Sequence, residues 1–151
     1  MLYKKVLLFF AVFLLLFLPV FGQTSAEIES LLGEAEVSCE QAAYFTLAVA
    51  LDQPPAASQA AFALAREKGW LPANAENGSP ITFSGLSFLM MKAFDINGGI
   101  MYELTGSRRY AYREMKSRGF ITGRAYSNLA VSGEQFLQIL GNVADEDGGA
   151  W

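Results

Sequence analysis

The sequence predicts an all-α protein, a compact bundle of short helices, behind an N-terminal export signal. Three observations predict this fold class. Apolar residues recur at helical spacing, glycines and a proline pair end successive segments, and hydroxyl residues stand where new helices begin. The pattern divides the 151 residues into a signal peptide over 1–22, a helical domain over 23–144 and an acidic tail over 145–151, which we expect to be disordered.

The first 22 residues have the pattern of a secretory signal peptide. Lys4 and Lys5 precede an uncharged apolar run from Val6 to Leu18, which is shorter than the roughly 20 residues that a membrane-spanning helix needs. Small residues favour cleavage after Gly22 or, failing that, after Ala26. We therefore expect an exported protein, periplasmic or associated with the cell envelope, without stable membrane insertion; an uncleaved membrane anchor is the alternative.

Composition excludes several classes of function. The sequence has no histidine, so the commonest general base and zinc ligand is absent. Its single cysteine, Cys39, cannot form an internal disulfide, and its apolar neighbours favour a small buried side chain over a reactive or dimer-forming thiol. We predict no cofactor and no metal site.

Charge is distributed unevenly along the chain. Removal of Lys4 and Lys5 takes the net charge from −4 to −6, residues 23–53 hold six acidic and no basic side chains, and six bases fall between Arg108 and Arg124. A dipolar acid of this kind argues against general nucleic-acid binding. The basic segment still suits a local anionic partner.

Capping residues and apolar spacing place the helices. Ser38 and Gln41 have the spacing of a capping box, and Gly69 follows Lys68 as a left-handed C-cap would. A stripe of Met and aromatic side chains at 88–94 is interpreted as core packing rather than as a binding groove. The predicted helices cover Glu27 to Leu32, Cys39 to about Leu51, Ala56 to Lys68, Ile81 to about Ala93, Arg108 to Arg118, and Val131 to Leu140.

An internal repeat links the two halves of this pattern. The segment Lys68-Gly69-Trp70-Leu71 recurs as Arg118-Gly119-Phe120-Ile121, and Ile81-Thr82 recurs as Val131-Ser132, all at an offset of 50 residues. A partial third copy begins at Val37-Ser38. In each unit a helix ends on a glycine, two apolar residues follow, and a β-branched residue precedes a hydroxyl N-cap. We interpret the register as a duplication.

At these residues the chain resembles the S-layer homology family. Its module is a helix ending in a glycine and an apolar pair, a loop, and an Ile-Thr or Val-Thr helix start; residues 61–90 and 111–140 match it, with 37–47 as a degenerate third start. Modules of that family that hold anionic wall polymers usually place a basic residue directly after the Thr. Here Phe83 and Gly133 occupy that position, so the ligand residue does not carry over.

The longer pattern is also similar to a family of spirochaetal exported proteins of poorly defined function. The residues that carry this similarity are 37–45 (VSCEQAAYF), 69–72 (GWLP) and 109–114 (RYAYRE). In some relatives such a segment precedes an outer-membrane-protein-A-like domain that binds peptidoglycan. The resemblance does not extend to that domain, so it implies an envelope location and no wall-binding activity of its own.

The basic segment contains the candidate ligand-binding residues. Arg109, Arg113 and Lys116 recur at spacings of four and three, so they share one helical face, and Tyr110 and Tyr112 stand between them. Guanidinium groups pair with carboxylates and aromatic faces stack on rings, so the set suits a planar anion or a sugar.

Simpler interpretations compete with a ligand site. The one we favour is that Arg113 and Lys116 pair with Glu103, Glu114 or the acidic first third of the chain, as solvated charges do. Glu103 and Glu114 are also the carboxylates least unsuited to glycoside hydrolysis, but nothing in the sequence places them across a cleft. The segment Asp95-Ile96-Asn97-Gly98 lacks the remaining ligands of a calcium loop and is expected to be a helix-ending turn.

These observations predict a non-catalytic exported interaction module that holds an envelope protein or a cell-wall component. The first alternative is binding of peptidoglycan or another anionic glycan through the basic and aromatic helix. A glycan-acting enzyme is the second alternative, disfavoured by the missing histidine and the missing carboxylate cleft.

Overall fold

The computed structural model describes residues 21–148, with side chains from residue 25 onward. Regular structure in that span is helical, which confirms the predicted all-α class for those residues. The expected signal sequence, with its apolar run from Val6 to Leu18, lies outside them. The helices are α1 (Phe21–Leu32), α2 (Cys39–Ala50), α3 (Ser58–Glu67), α4 (Phe83–Ala93), α5 (Ile100–Thr105), α6 (Arg108–Ser117) and α7 (Gly133–Gly148).

The described residues fall into two compact units, which are divided between Leu31 and Leu32. The described part of the first unit lies in α1, which is already helical at Phe21, ahead of the expected start at Glu27. The second unit contains α2 to α7. No helix among the described residues has the length and apolar content needed to cross a bilayer.

Hydroxyl caps begin α2, α4 and α7, as the sequence predicts. The Ser38 hydroxyl accepts the backbone N–H of Gln41 at 3.1 Å, and the Gln41 side chain accepts the N–H of Ser38 at 2.9 Å, which completes the capping box. The hydroxyls of Thr82 and Ser132 accept the N–H three residues further on, at 3.2 and 3.3 Å. Each cap therefore satisfies a backbone donor that the first helical turn leaves free.

Left-handed residues end α3, α4 and α6. Gly69 and Gly119, related by the 50-residue offset, have φ of 70° and 81°. The next residues, Trp70 and Phe120, donate their N–H to the carbonyl five residues back, at 2.8 and 3.0 Å, as in a Schellman motif. Asp95 takes the same place after α4 with φ of 52°, so the predicted helix-ending turn is confirmed.

A closed ring of backbone hydrogen bonds joins the residues that precede α2, α4 and α7. Ile81 donates to the carbonyl of Val37 at 2.9 Å, Val131 donates to Ile81 at 3.1 Å, and Val37 donates to Val131 at 2.8 Å. All three side chains are 1% exposed or less. The three helices consequently start from one buried centre, about which α2 packs against α3, α4 and α7, and α6 packs against α4 and α5.

Helix α4 runs through the core. Nearly every residue from Phe83 to Ala93 is buried, and the Met and aromatic stripe of residues 88–94 includes Met90 and Met91 at 0% and 1% exposure. The interpretation of that stripe as core packing is confirmed.

Cys39, at the start of α2, is a buried thiol. Its side chain is 3% exposed and lies 3.7 Å from the hydroxyl of Ser79. Burial raises the pKa of the Cys39 thiol, and the hydrogen bond from Ser79 offsets part of that rise. The predicted small, buried side chain is therefore confirmed.

The end of the chain differs from the prediction. Helix α7 continues to Gly148 rather than ending at Leu140, so residues 145–148 of the expected tail are helical, and residues 149–151 lie outside the described part. Gly141 does not interrupt the helix, because Val143 extends its buried face and the Asn142 amide donates to the Phe120 carbonyl at 3.2 Å. Tertiary contacts beyond the last predicted turn thus hold the helix together.

Candidate functional site

Helix α6 presents three cations to solvent. Arg109, Arg113 and Lys116 are exposed along one face, while Ala111 and Met115 are buried on the other. The helix starts at the Ser107 N-cap, whose hydroxyl accepts the N–H of Arg109 at 3.2 Å. The structure therefore brings the three predicted cations together as their spacing indicates.

The two predicted tyrosines pair with two of these cations. The Arg113 guanidinium carbon lies 5.8 Å from the Tyr110 ring centroid, and Lys116 Nζ lies 5.8 Å from that of Tyr112. Lys116 Nζ also lies 3.4 Å from the Tyr112 hydroxyl, which itself donates to the Ala125 carbonyl. Tyr112 is thus held by the loop before α7, whereas Tyr110 has no side-chain hydrogen bond among the described residues.

A groove of about 350 Å³ separates α5 from α6. Tyr110 and Arg113 line it, whereas Arg109, Tyr112 and Lys116 do not, so the predicted set is split between the groove and the neighbouring surface. The α5 side of the groove is largely apolar. Its lining residues are Gly99, Ile100, Met101, Tyr102, Tyr110, Arg113, Glu114 and Ser117.

Helix α5 exposes large apolar side chains next to the cations. Ile100 is 79% exposed, Met101 is 48% exposed and Leu104 is 75% exposed, whereas Tyr102 is the buried side chain of this helix. This exposure was not predicted from the sequence. It arises because a six-residue helix that packs on one side can bury only one face. We call Ile100, Met101, Leu104, Arg109, Arg113 and Lys116 together the α5–α6 surface.

Acidic side chains near this surface contact backbone and Arg118 rather than the three cations. Glu103 accepts the N–H of Gly98 at 3.0 Å, and Glu114 accepts the N–H of Gly99 at 3.1 Å. Glu114 also forms an ion pair with Arg118 at 2.9 Å. The favoured interpretation, that Arg113 and Lys116 pair with Glu103, Glu114 or the acidic first third, is therefore wrong for the described residues.

Arg118 connects three parts of the second unit. Besides Glu114 on α6, its guanidinium reaches Glu146 on α7 at 3.6 Å and donates to the carbonyl of Asn97 in the α4–α5 loop. These contacts border a cleft of about 430 Å³ whose floor includes Phe94, Phe120 and Val143. The contacts of Arg118 between elements were not predicted, because Asn97 and Glu146 lie 21 and 28 positions away from it in the sequence.

A second cluster lies behind α5 and was not predicted. The rings of Phe88 and Tyr102 meet edge to face at 6.3 Å; Lys92 Nζ lies 5.6 Å from each centroid, and the Arg108 guanidinium lies 4.9 Å from Phe88. Burial raises the pKa of the Tyr102 hydroxyl, and the charge of Glu103 adds to that effect. These cation–π contacts fix α5 against α4.

The part of the chain that the structure describes contains no cluster of three acidic or cysteine side chains arranged to hold a metal ion. Comparison of the chain with protein-family models, curated proteins and solved structures gives no match. In the described residues the geometry is that of an all-helical domain with exposed cations on α6 and exposed apolar side chains on α5.

Proposed function

We propose that this chain is a non-catalytic, exported interaction module of the cell envelope, which holds another envelope protein through the α5–α6 surface. One observation carries the proposal: three large apolar side chains are exposed on α5, and two of them line a groove together with Arg113, one of three α6 cations that have no ion-pair partner among the described residues. Single exposed apolar residues are common, but a contiguous apolar patch with a charged rim is typical of an interface.

The surroundings of the two candidate carboxylates support a non-catalytic role. Glu103 and Glu114 each accept a backbone N–H of the glycine pair Gly98-Gly99, and Glu114 also binds Arg118. Both carboxylates therefore stabilise the α4–α5 loop. General acid–base chemistry needs a group that is free to exchange a proton with a substrate, and these contacts oppose that use.

The hydrogen-bonded ring supports an origin from S-layer-homology-like units. Val37, Ile81 and Val131 stand at corresponding places in the two proposed units and the partial third, and each both donates to and accepts from another ring member. The positions after the hydroxyl caps, Phe83 and Gly133, are buried. These two positions therefore cannot supply the exposed cation with which S-layer homology modules hold an anionic polymer.

In-cell crosslinking tests the protein-partner proposal. A photo-crosslinking amino acid at Met101 in the full chain, exported in its own cells, is expected to give a discrete adduct. Ala63, exposed on α3, is the control position and is expected to give none. Replacing Arg109, Arg113 and Lys116 with alanine should abolish the Met101 adduct. Equal adducts at both positions, or none at either, would contradict the proposal.

Binding of a wall glycan is the second candidate function. The observation that favours it is the Arg113–Tyr110 pair in a groove, since a guanidinium beside an aromatic face suits a sugar that carries a carboxylate. Sedimentation with purified peptidoglycan sacculi tests it. The matched control for R109A/R113A/K116A is R66A/K68A/R124A, which removes the same charge from exposed sites elsewhere. Loss of co-sedimentation in the first variant alone would support the glycan.

A further inference from the structure

We infer that the α5–α6 surface takes the acidic segment of a second copy of this chain, so that the chains associate head to tail. The acidic segment is defined as residues 27–36, which comprise the end of α1 and the turn before α2. This inference rests on the proposed function, because it uses the same surface and names its partner.

The acidic segment complements the α5–α6 surface in charge and in exposed apolar side chains. It contains Glu27, Glu29, Glu34 and Glu36, and no base occurs anywhere between residues 23 and 53. Between these acids stand apolar side chains, of which Ile28 is 39% exposed and Leu32 is 49% exposed. The segment therefore combines negative charge with exposed apolar area, as the α5–α6 surface combines positive charge with exposed apolar area.

Neither set of charges has an ion-pair partner among the residues that the structure describes. The ion pairs that the described residues form join Arg118 to Glu114 and Glu146, and none involves the acidic segment or the three cations of the α5–α6 surface. Placing the two patches together would pair opposite charges while removing Ile100 and Leu104 from water. Opposite charges at the rim of an interface chiefly raise the association rate and exclude wrong partners.

A second copy satisfies both halves of the pattern better than a lipid surface does. An anionic bilayer would pair with the three cations but would leave the acidic segment of the same chain without a partner, whereas a second copy engages both patches. In the second copy the acids and the apolar side chains occur together on one short segment. Because the two patches differ, the contact is heterologous, and a bound pair of chains leaves one patch of each kind open.

Charge-swapped variants test the inference with the intact mature chain. One variant reverses the surface, R109E/R113E/K116E, and the other reverses the segment, E27K/E29K/E36K; all six positions are exposed. Sedimentation velocity at low salt should detect self-association of the wild type and about a tenfold or greater weakening in each variant alone. An equimolar mixture of the two variants should associate again, since each supplies the charge that the other now lacks.

The apolar contribution is tested separately. I100S/L104S leaves every charge in place and is expected to weaken association about tenfold or more. Thermal unfolding of each variant, compared with the wild type, tells a lost interface from a lost fold. Restored association in the mixture would itself require both variants to be folded.

Several results would overturn the inference. A wild type that sediments as a monomer at its highest soluble concentration would do so, as would a mixture of variants that stays monomeric. Binding of the monomeric wild type to phosphatidylglycerol vesicles would reassign the surface to lipid. A monomeric wild type that still gives the Met101 crosslink in cells would reject the second copy while leaving the proposed function standing.

Discussion

The backbone N–H of Ile81 donates to the carbonyl of Val37 across 44 positions of sequence, at 2.9 Å, and both side chains are fully enclosed. This contact joins the start of α4 to the start of α2. Because the same residues pack in the core and bond through their backbones, the position is sensitive to side-chain volume.

Truncation at this contact should destabilise the domain strongly. Ile81→Ala is expected to lower the free energy of unfolding by about 2–5 kcal/mol, because it leaves a cavity where the structure cannot collapse. Urea unfolding followed by circular dichroism measures the change. Ile81→Val should cost only about 0.5–1.5 kcal/mol, and equal losses in the two variants would argue against a volume effect.

Asp95 should be replaceable by glycine with a gain in stability. Its φ of 52° places an L side chain in the left-handed region that Gly69 and Gly119 occupy after α3 and α6. Asp95→Gly is expected to raise the free energy of unfolding by about 1 kcal/mol, because it removes that strain.

The reverse kind of substitution at Gly119 tests whether the left-handed backbone conformation causes the change in stability at Asp95. Gly119→Ala should lower the free energy of unfolding by about 1 kcal/mol. The added methyl group would not clash, because no atom lies within 4 Å of its position. Thermal unfolding of both variants gives the two shifts. Shifts of the same sign would contradict a conformational origin.

Alanine substitution of Arg118 should lower the stability of the domain, whereas alanine substitution of Arg113 should weaken binding and leave stability nearly unchanged. Arg118→Ala removes contacts with Glu114, Glu146 and the Asn97 carbonyl, and is expected to cost about 1–2 kcal/mol of unfolding free energy, part of it lost in high salt. Arg113→Ala should change stability by less than about 0.5 kcal/mol while weakening binding at the α5–α6 surface. Denaturant unfolding at two salt concentrations, beside the binding assay, decides whether the two arginines differ in this way.

Stability should fall at alkaline pH through Cys39. Burial raises the pKa of the folded thiol above its unfolded value, so the folded state retains the proton over a range where the unfolded state has lost it. The unfolded state binds fewer protons there, and the free energy of unfolding therefore decreases as pH rises above the ordinary thiol pKa. Urea unfolding from about pH 7.5 to about pH 10 measures the slope. Cys39→Ala should flatten it, and an unchanged slope in that variant would assign the effect to other groups.

Local features of this fold could be predicted from the sequence, because they depend on residues a few positions apart. The Ser38–Gln41 capping box, the left-handed glycines at 69 and 119, and the exposed face of α6 all have partners within five residues. The local pattern also predicts that the Met and aromatic stripe of residues 88–94 packs in the core.

Features that depend on distant partners could not be predicted. Arg118 binds groups on α7 and on the α4–α5 loop, so its role follows from how those elements pack. The exposure of Ile100 and Leu104 depends on α5 having core on one side alone. Helix α7 continues past Leu140 because Val143 and Asn142 find contacts outside their own helix.

The closed hydrogen-bonded ring also bears on how the domain folds. Its last bond joins Val37 to Val131, so two of the three members alone would leave one donor and one acceptor buried without a partner. Partial assembly is consequently penalised, and the ring favours all-or-none unfolding of α2 to α7. A fragment that ends before Val131 should therefore fail to hold even the α2–α4 pairing that its own residues encode.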